Sequence, residues 1–507
     1  NSDIAETQVC WWGPFPYPCF GPYELPDDDW KIMASLWTRD LFSDDPDSCD
    51  DAGAVTHYVG LIHPSTFTDG LNGKGSRPGA QLMIHMPALS SIPLNWRDFS
   101  PGETRSPRAA SFPHELGHNY NRKHIACGDP ADPDNGYPYT NPDRCRLDDG
   151  VLTAASTHYA WDVNRLQPTA PNAATDLMSY GRPRWPSDYT WKAIMNRINS
   201  TLFAADTTVT AAGATAAAEA FAGAESVVLV TGAYTPTNVV ENSGLLNYAY
   251  VFPKSAASPG QLQKWQRSLL GAYADQEIRA AGTDSVVFQL LDSEGTVLAE
   301  VPATLLALED DENTQLAVAA TIPAPNGTVV TVRLVVNGVV VATRTPGAAT
   351  PTITLSQPAG GETVDATLTV AWNATDADDA DRLLYAVQYS PDGGATWRTI
   401  SSDIAGPGNS DGDNALPVTV QFNASDLPGS NGQTGLVRVL ASDGYHTAIA
   451  TSQPFTVVPR APEPFIVAPH EGATPQNKAT VAVDQPLVLE GGASDAEDGS
   501  VASANLT

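Results

Sequence analysis

Three histidines in one short stretch constrain this chain more than any other feature. In Pro113-His114-Glu115-Leu116-Gly117-His118, the two imidazoles stand four residues apart. On a helix that spacing is about one turn, so both rings leave the same face and reach one metal ion. Glu115 shares that neighbourhood, where a carboxylate can take a proton from a metal-activated water and return it to a departing amine. His124 lies six residues beyond His118, well past the metal on a straight helix, so the helix must end and turn before it. Such a turn calls for positive φ, and Asn121, midway between the two, is among the residues that tolerate it best after glycine. Pro113 fits only the first helical turn, so the helix either starts near Ser111 or is kinked. Three neutral imidazoles leave a fourth tetrahedral position for water, which is the arrangement of a catalytic rather than a structural zinc.

With Asn121 in place of its glycine, the segment from His114 to His124 resembles the zinc motif of the metzincin superfamily of metallopeptidases, His-Glu-x-x-His-x-x-Gly-x-x-His. A second stretch, Asp176-Leu177-Met178-Ser179-Tyr180-Gly181, is similar to that family's methionine turn. The resemblance implies zinc on His114, His118 and His124, Glu115 as general base, and Met178 as an apolar floor beneath the imidazoles. It also implies that Tyr180 swings in to stabilise the oxyanion; the rival reading is packing around the turn. The fold implied is a multidomain chain, with an α/β metzincin-like catalytic domain followed by all-β sandwich domains. The likeness spans roughly residues 50–203. Residues 55–62 and 80–86 read as strands, and by analogy the second is the cleft-edge strand that holds an extended substrate. Ser187 is placed to cap a helix whose Trp191, Ile194, Met195 and Ile198 recur at helical spacing and read as core. His57, His63, His85 and His158 lack ligand spacing and read as structural or exposed.

At 507 residues the chain exceeds one hydrophobic core, and residues 1–205, which hold every cysteine, differ in kind from the remaining residues. From about 207 onward, β-branched runs at 226–231, 328–336 and 339–343 alternate with turn signals, as in β-sandwiches, and Asn337-Gly338 reads as a type I′ hairpin. A helical pattern near 260–274 interrupts them. Proline-rich linkers at 346–351 and 458–464 frame a module over 351–459, preceded by a β-rich domain over 206–347. The opening of that module is echoed from 463 onward, which indicates successive immunoglobulin-like repeats. The second copy stops at Thr507, short of the roughly 100 residues a sandwich needs, so the sequence is expected to be a fragment.

A formal net charge of -31 repels phosphate backbones and anionic lipid, so nucleic acid is not an expected partner. No apolar run reaches the length of a membrane helix. Cys10 with Cys19 and Cys127 with Cys145 enclose short loops of the kind disulfides close in exported proteins, leaving Cys49 over. A zinc knuckle is disfavoured because no Cys-x-x-Cys pair exists. Export is therefore expected, and the architecture suggests a bacterial source. The acidic runs 376–381 and 495–498 read first as solvated loops and second as structural calcium sites. Residues 390–397 match an Asp-box, but a single copy reads as an ordinary hairpin turn. The expected activity is that of a secreted zinc endopeptidase acting on protein or peptide. Its rival is a surface- or glycan-binding adhesin carrying an inactive peptidase module, and the intact Glu115 argues against that.

Overall fold

In a computed structural model the described residues are 7–12, 16–23, 29–44, 57–62, 73–76, 80–85, 111–128, 130, 133–139, 145–148, 159–162, 167–181, 184–203, 213–279, 285–306, 315–377, 383–406, 417–468, 490–495, 497 and 499–500. The chain is multidomain and mostly β-sheet, with few helices. Among the described residues, no helix is long and apolar enough to cross a membrane. His63, His158, Cys49 and most of the two acidic runs lie outside them.

The N-terminal region opens with an antiparallel pair, β1 (Thr7–Trp12) and β2 (Pro16–Tyr23), in which Cys10 stands opposite Cys19 in register. Helix α1 (Asp29–Phe42) comes next. Its Trp30, Ile32, Met33, Leu36, Trp37, Leu41 and Phe42 are all buried, and so are Thr38 and Arg39. A helix covered all round must sit inside a larger assembly. Here α1 packs on the N-terminal sheet and also on strands of both β domains C-terminal to it.

That N-terminal sheet runs β3 (Tyr58–Ile62), β5 (Gln81–His85), β4 (Gly73–Gly75), with β3 and β5 parallel and β4 antiparallel to β5. Strand β5 is therefore central. The expectation that it forms a cleft edge is corrected: among the described residues β5 is flanked by β3 and β4, and it is β4 whose Gly73 and Gly75 let the backbone lie directly on the next helix, α2 (Ser111–Asn119). The helix starts at Ser111, which leaves Pro113 in its first turn, where a missing N–H costs nothing. Helix α3 (Asp188–Phe203) comes after the methionine-bearing turn. Its Trp191 is 55% exposed, so the core reading fails there, whereas half-buried Ile194 packs against the cluster that Ile125, Cys127, Tyr137, Leu177 and Met178 form.

The first β domain is a sandwich. Strand Ser226–Tyr234 pairs with Leu316–Pro323 over eight residues, and the opposing sheet is built on Val286–Leu291 and Thr331–Val336. Asn337 and Gly338, both at positive φ, make the tight turn to Val339–Arg344 that their dipeptide foretells. Two helices, α4 (Ala214–Gly223) and α5 (Pro259–Arg279), lie together against the Leu316–Pro323 strand. The second sandwich closes over Trp372, Tyr389 and Phe455. Its 390–397 segment is a hairpin turn in which Asp392 accepts from the Thr396 backbone at 2.9 Å and from the Thr396 and Ser390 hydroxyls at 2.7 Å. Beyond it, Glu463–Ala468 pairs antiparallel with Glu490–Asp495, in the span where the sequence repeats itself.

A polar seam ties α1 to both sandwiches. Asp44, just past the helix, accepts from the Ser258 hydroxyl at 2.5 Å and from the Trp397 backbone at 2.6 Å. Arg438 lies 3.9 Å over the Trp397 ring and donates to Gln388 at 2.6 Å; Gln388 in turn donates to the Phe42 carbonyl at 2.5 Å. Burial, offset in part by Asp44, pulls the Arg438 guanidinium down to about 9.

Candidate metal centre

The three sequence-predicted histidines converge. His114, His118 and His124 are all buried, and each offers a ring nitrogen within 4.8 Å of the others. Helix α2 supplies the first two from one face. The third arrives because the helix ends in a Schellman turn: Arg122 N–H donates to the Gly117 carbonyl at 3.0 Å and Asn121 N–H to the His118 carbonyl at 2.7 Å. That motif needs a left-handed residue between them, and Asn121 has φ of 63°. The reversal brings His124 back, stacked on His114 with ring centroids 4.8 Å apart and planes 23° off parallel.

Backbone carbonyls fix the orientation of two rings. His114 Nδ1 lies 2.7 Å from the Leu177 carbonyl, and His118 Nδ1 lies 2.7 Å from the Arg122 carbonyl. A carbonyl only accepts, so both Nδ1 atoms carry the proton and both Nε2 atoms present lone pairs inward. His114 Nε2 then faces His124 Nε2 at 2.8 Å. With the lone pair on His114 Nε2, a neutral His124 either donates its Nε2 proton across this contact or, with that proton on Nδ1, turns a second lone pair inward, as a shared cation would require. Tetrahedral zinc, with bonds of about 2.0–2.1 Å, holds ligand nitrogens about 3.4 Å apart, so a small opening of the trio fits the ion. Burial foremost, then the charges of His118, Arg184 and His124, holds His114 well below the ordinary histidine range, which keeps it neutral as a ligand must be.

Met178 is fully buried and lies directly beneath the helix. A Cβ added at Gly117 would meet its Sδ at 2.5 Å, so the glycine is what lets the sulfur in. The turn bearing Met178 is pinned by Asp176, which accepts from the Met178 backbone at 2.8 Å, the Ser187 backbone at 2.9 Å and the Thr190 hydroxyl at 3.0 Å. Ser187 also caps α3, its hydroxyl accepting from Thr190 N–H at 3.2 Å. The turn is joined to the third histidine by Ile125 N–H donating to the Met178 carbonyl at 3.0 Å. The expected Cys127–Cys145 disulfide is formed, and the Cys127 and Cys145 carbonyls accept from Tyr180 and Asp176 N–H at 3.3 and 2.8 Å.

Glu115 is buried beside β4. A Cβ on Gly73 would meet its carboxylate at 2.9 Å, and one on Gly75 would meet its backbone carbonyl at 2.6 Å. Tyr180 is 40% exposed, and its hydroxyl lies 3.4 Å from His124 Nδ1, so it sits at the rim of the trio. Of the other histidines, His57 meets the end of α2, with Asn119 Nδ2 2.9 Å from its Nδ1.

Several contributors escape a reading of the sequence alone. The carbonyls of Leu177 and Arg122 have no residue-type signature. Gly73 and Gly75 do leave one, since two glycines at a period of two strip one face of a strand.

No family model matches the chain, and no curated protein matches its sequence. Among solved structures it is similar to the fibronectin(III)-like modules of Clostridium thermocellum CbhA, at 16% identity over 34% of this chain and 77% of that one, with a TM-score of 0.14. It is likewise similar to a marsupial T cell receptor, at 12% identity over 37% of this chain and 69% of that one, again with a TM-score of 0.14. Scores this low carry no argument about function, and the sandwich architecture rests on the sheets themselves.

Proposed function

We propose that the chain is an exported zinc endopeptidase of the metzincin type, hydrolysing peptide bonds of a protein or peptide substrate. The observation that carries this is the convergence of His114, His118 and His124 on one point, with Glu115 interleaved and Met178 packed beneath. A bound zinc would polarise the scissile carbonyl and acidify a water. Glu115 takes up the proton that the attacking water releases and hands it to the leaving amine. The Tyr180 hydroxyl, on the open side of the trio, donates to the oxyanion as it develops. Sheet edge β4, laid along α2, holds an extended substrate by main-chain hydrogen bonds. The Cys127–Cys145 disulfide supports a site of action outside the reducing cytosol.

The test is zinc content together with protein hydrolysis, on the full chain and on Glu115→Ala. About one zinc per chain is expected in both. The substitution should lower kcat/KM by about 10²- to 10⁴-fold, and a chelator should abolish the unaltered chain's activity. Zinc bound without hydrolysis by the unaltered chain would favour the binding-protein reading, and no zinc at all would end the metal reading.

A further inference from the structure

Past the third histidine the chain turns back, and Asp134 meets both halves of the metal centre. Its backbone N–H donates to the His124 carbonyl at 2.6 Å. Its Oδ2 accepts from Arg122 Nη2 at 2.8 Å and from the Tyr189 hydroxyl at 3.0 Å, and its Oδ1 from Gly136 N–H at 2.9 Å. Both charged side chains are largely covered, at 12% and 17% exposure. Arg122 is the residue whose carbonyl orients His118, and its guanidinium lies 5.0 Å over the Tyr189 ring on α3.

We infer that Asp134 is a positioning residue of the metal centre, setting the distance and angle between His118 and His124 through Arg122. This rests on the reading of the trio as a metal site. The physical ground is that α2 ends at Asn119, so His118 and His124 are joined by a five-residue turn; Asn119 is held from the α2 side by His57 and Ser76, and Arg122 is held from the far side by Asp134. The covered Asp134–Arg122 pair fastens the far side of that turn to α3. Removing either partner leaves the other charge covered and uncompensated, which forces Arg122 to move and takes its carbonyl away from His118 Nδ1.

The experiment measures zinc affinity by competition with a chromogenic chelator, the zinc dissociation rate, and unfolding of the metal-free form, all on the full chain. The variants are Asp134→Asn, Arg122→Met, both together, and Lys192→Met. The last breaks an exposed ion pair on α3 that touches neither ligand. Each of the first two should weaken zinc about 10- to 100-fold and speed its release, as loss of a supporting partner does at metal sites. The double variant should lose no more than either alone, and Lys192→Met should leave zinc affinity unchanged. A purely structural role would lower stability in all variants without this coupling in zinc affinity. Should Asp134→Asn fail to fold, Arg122→Met reads the same contact from its other side. Asp134→Asn holding zinc at the unaltered affinity, or losses that simply multiply in the double variant, would overturn the inference. An unaltered chain that binds no zinc overturns the metal centre itself, a separate failure visible before any substitution is made.

Discussion

Asn121 holds the left-handed position at which the chain reverses toward His124, so substitutions there have calculable effects. Its φ of 63° lies in the left-handed region, which costs an ordinary L-residue about 1–2 kcal/mol and asparagine less. Asn121→Ala should therefore destabilise the metal-free chain by about 1 kcal/mol. Asn121→Val, with a branched Cβ, should cost about 2 kcal/mol. Asn121→Gly removes the remaining strain but frees the unfolded chain by about 0.4–1 kcal/mol, so its net effect is close to zero. The cost appears as lost stability where the metal-free turn stays closed, and as weaker zinc binding where the turn opens to relieve itself. At about 1.4 kcal/mol per tenfold, the valine variant has up to about thirtyfold in affinity to lose. Urea unfolding of the metal-free chain and zinc competition on the same samples assign the cost between the two. Equal unfolding midpoints and equal zinc affinity for Asn121→Val and the unaltered chain would refute the reasoning, as would loss of zinc by Asn121→Gly.

Replacing Cys127 and Cys145 by serine opens a loop of sequence separation 18 and should lower stability by about 3 kcal/mol. Zinc affinity should fall as well, because the bridge holds the carbonyls that receive Tyr180 and Asp176; urea midpoints matching the oxidised chain would contradict this. Burial lowers His57 below its ordinary value, so the folded state prefers it neutral. Its contribution is present above the unfolded value of about 6.5 and is lost as pH falls through it, so unfolding midpoints should drop from pH 7.5 to 5.5. That drop should be shallower in His57→Gln, and superimposable pH curves for the two chains would exclude the assignment.

The convergence of the three histidines was largely legible in the sequence because it depends on residue types at fixed spacings. Four-residue spacing on a helix, the need for a turn before His124, and an asparagine able to make it are local facts, and the structure obeys each of them. Asn337-Gly338 was legible for the same reason. What stayed hidden is non-local. That β5 is flanked by β3 and β4 depends on pairing between segments, and the two β4 glycines tell of a close approach only once a partner helix is known to lie there. Trp191 fits a helical repeat yet faces solvent, because periodicity identifies a face without saying what covers it. The near-complete burial of α1 was invisible, since part of the surface that covers it belongs to β domains more than 180 residues away.

These non-local contacts explain why so short a helix can hold two of the three converging histidines in place. Helix α2 has nine residues, fewer than the roughly 12–15 at which an isolated helix becomes even marginal in water. Its order comes from outside: β4 glycines pressed on Glu115, Met178 under Gly117, and the Leu177 carbonyl on His114. Met178 and Leu177 in turn stand on Asp176, whose buried carboxylate is pushed upward by desolvation and held by Ser187, Met178 and Thr190. An uncompensated charge at that depth would be costly, and the hydrogen bonds from these three residues are what make it tolerable. The geometry of the three histidines is therefore a property of the folded domain rather than of the motif. Zinc that bound this arrangement and not the unfolded chain would add its binding free energy to folding, so on the proposed function the metal and the Met178 turn would stabilise one another.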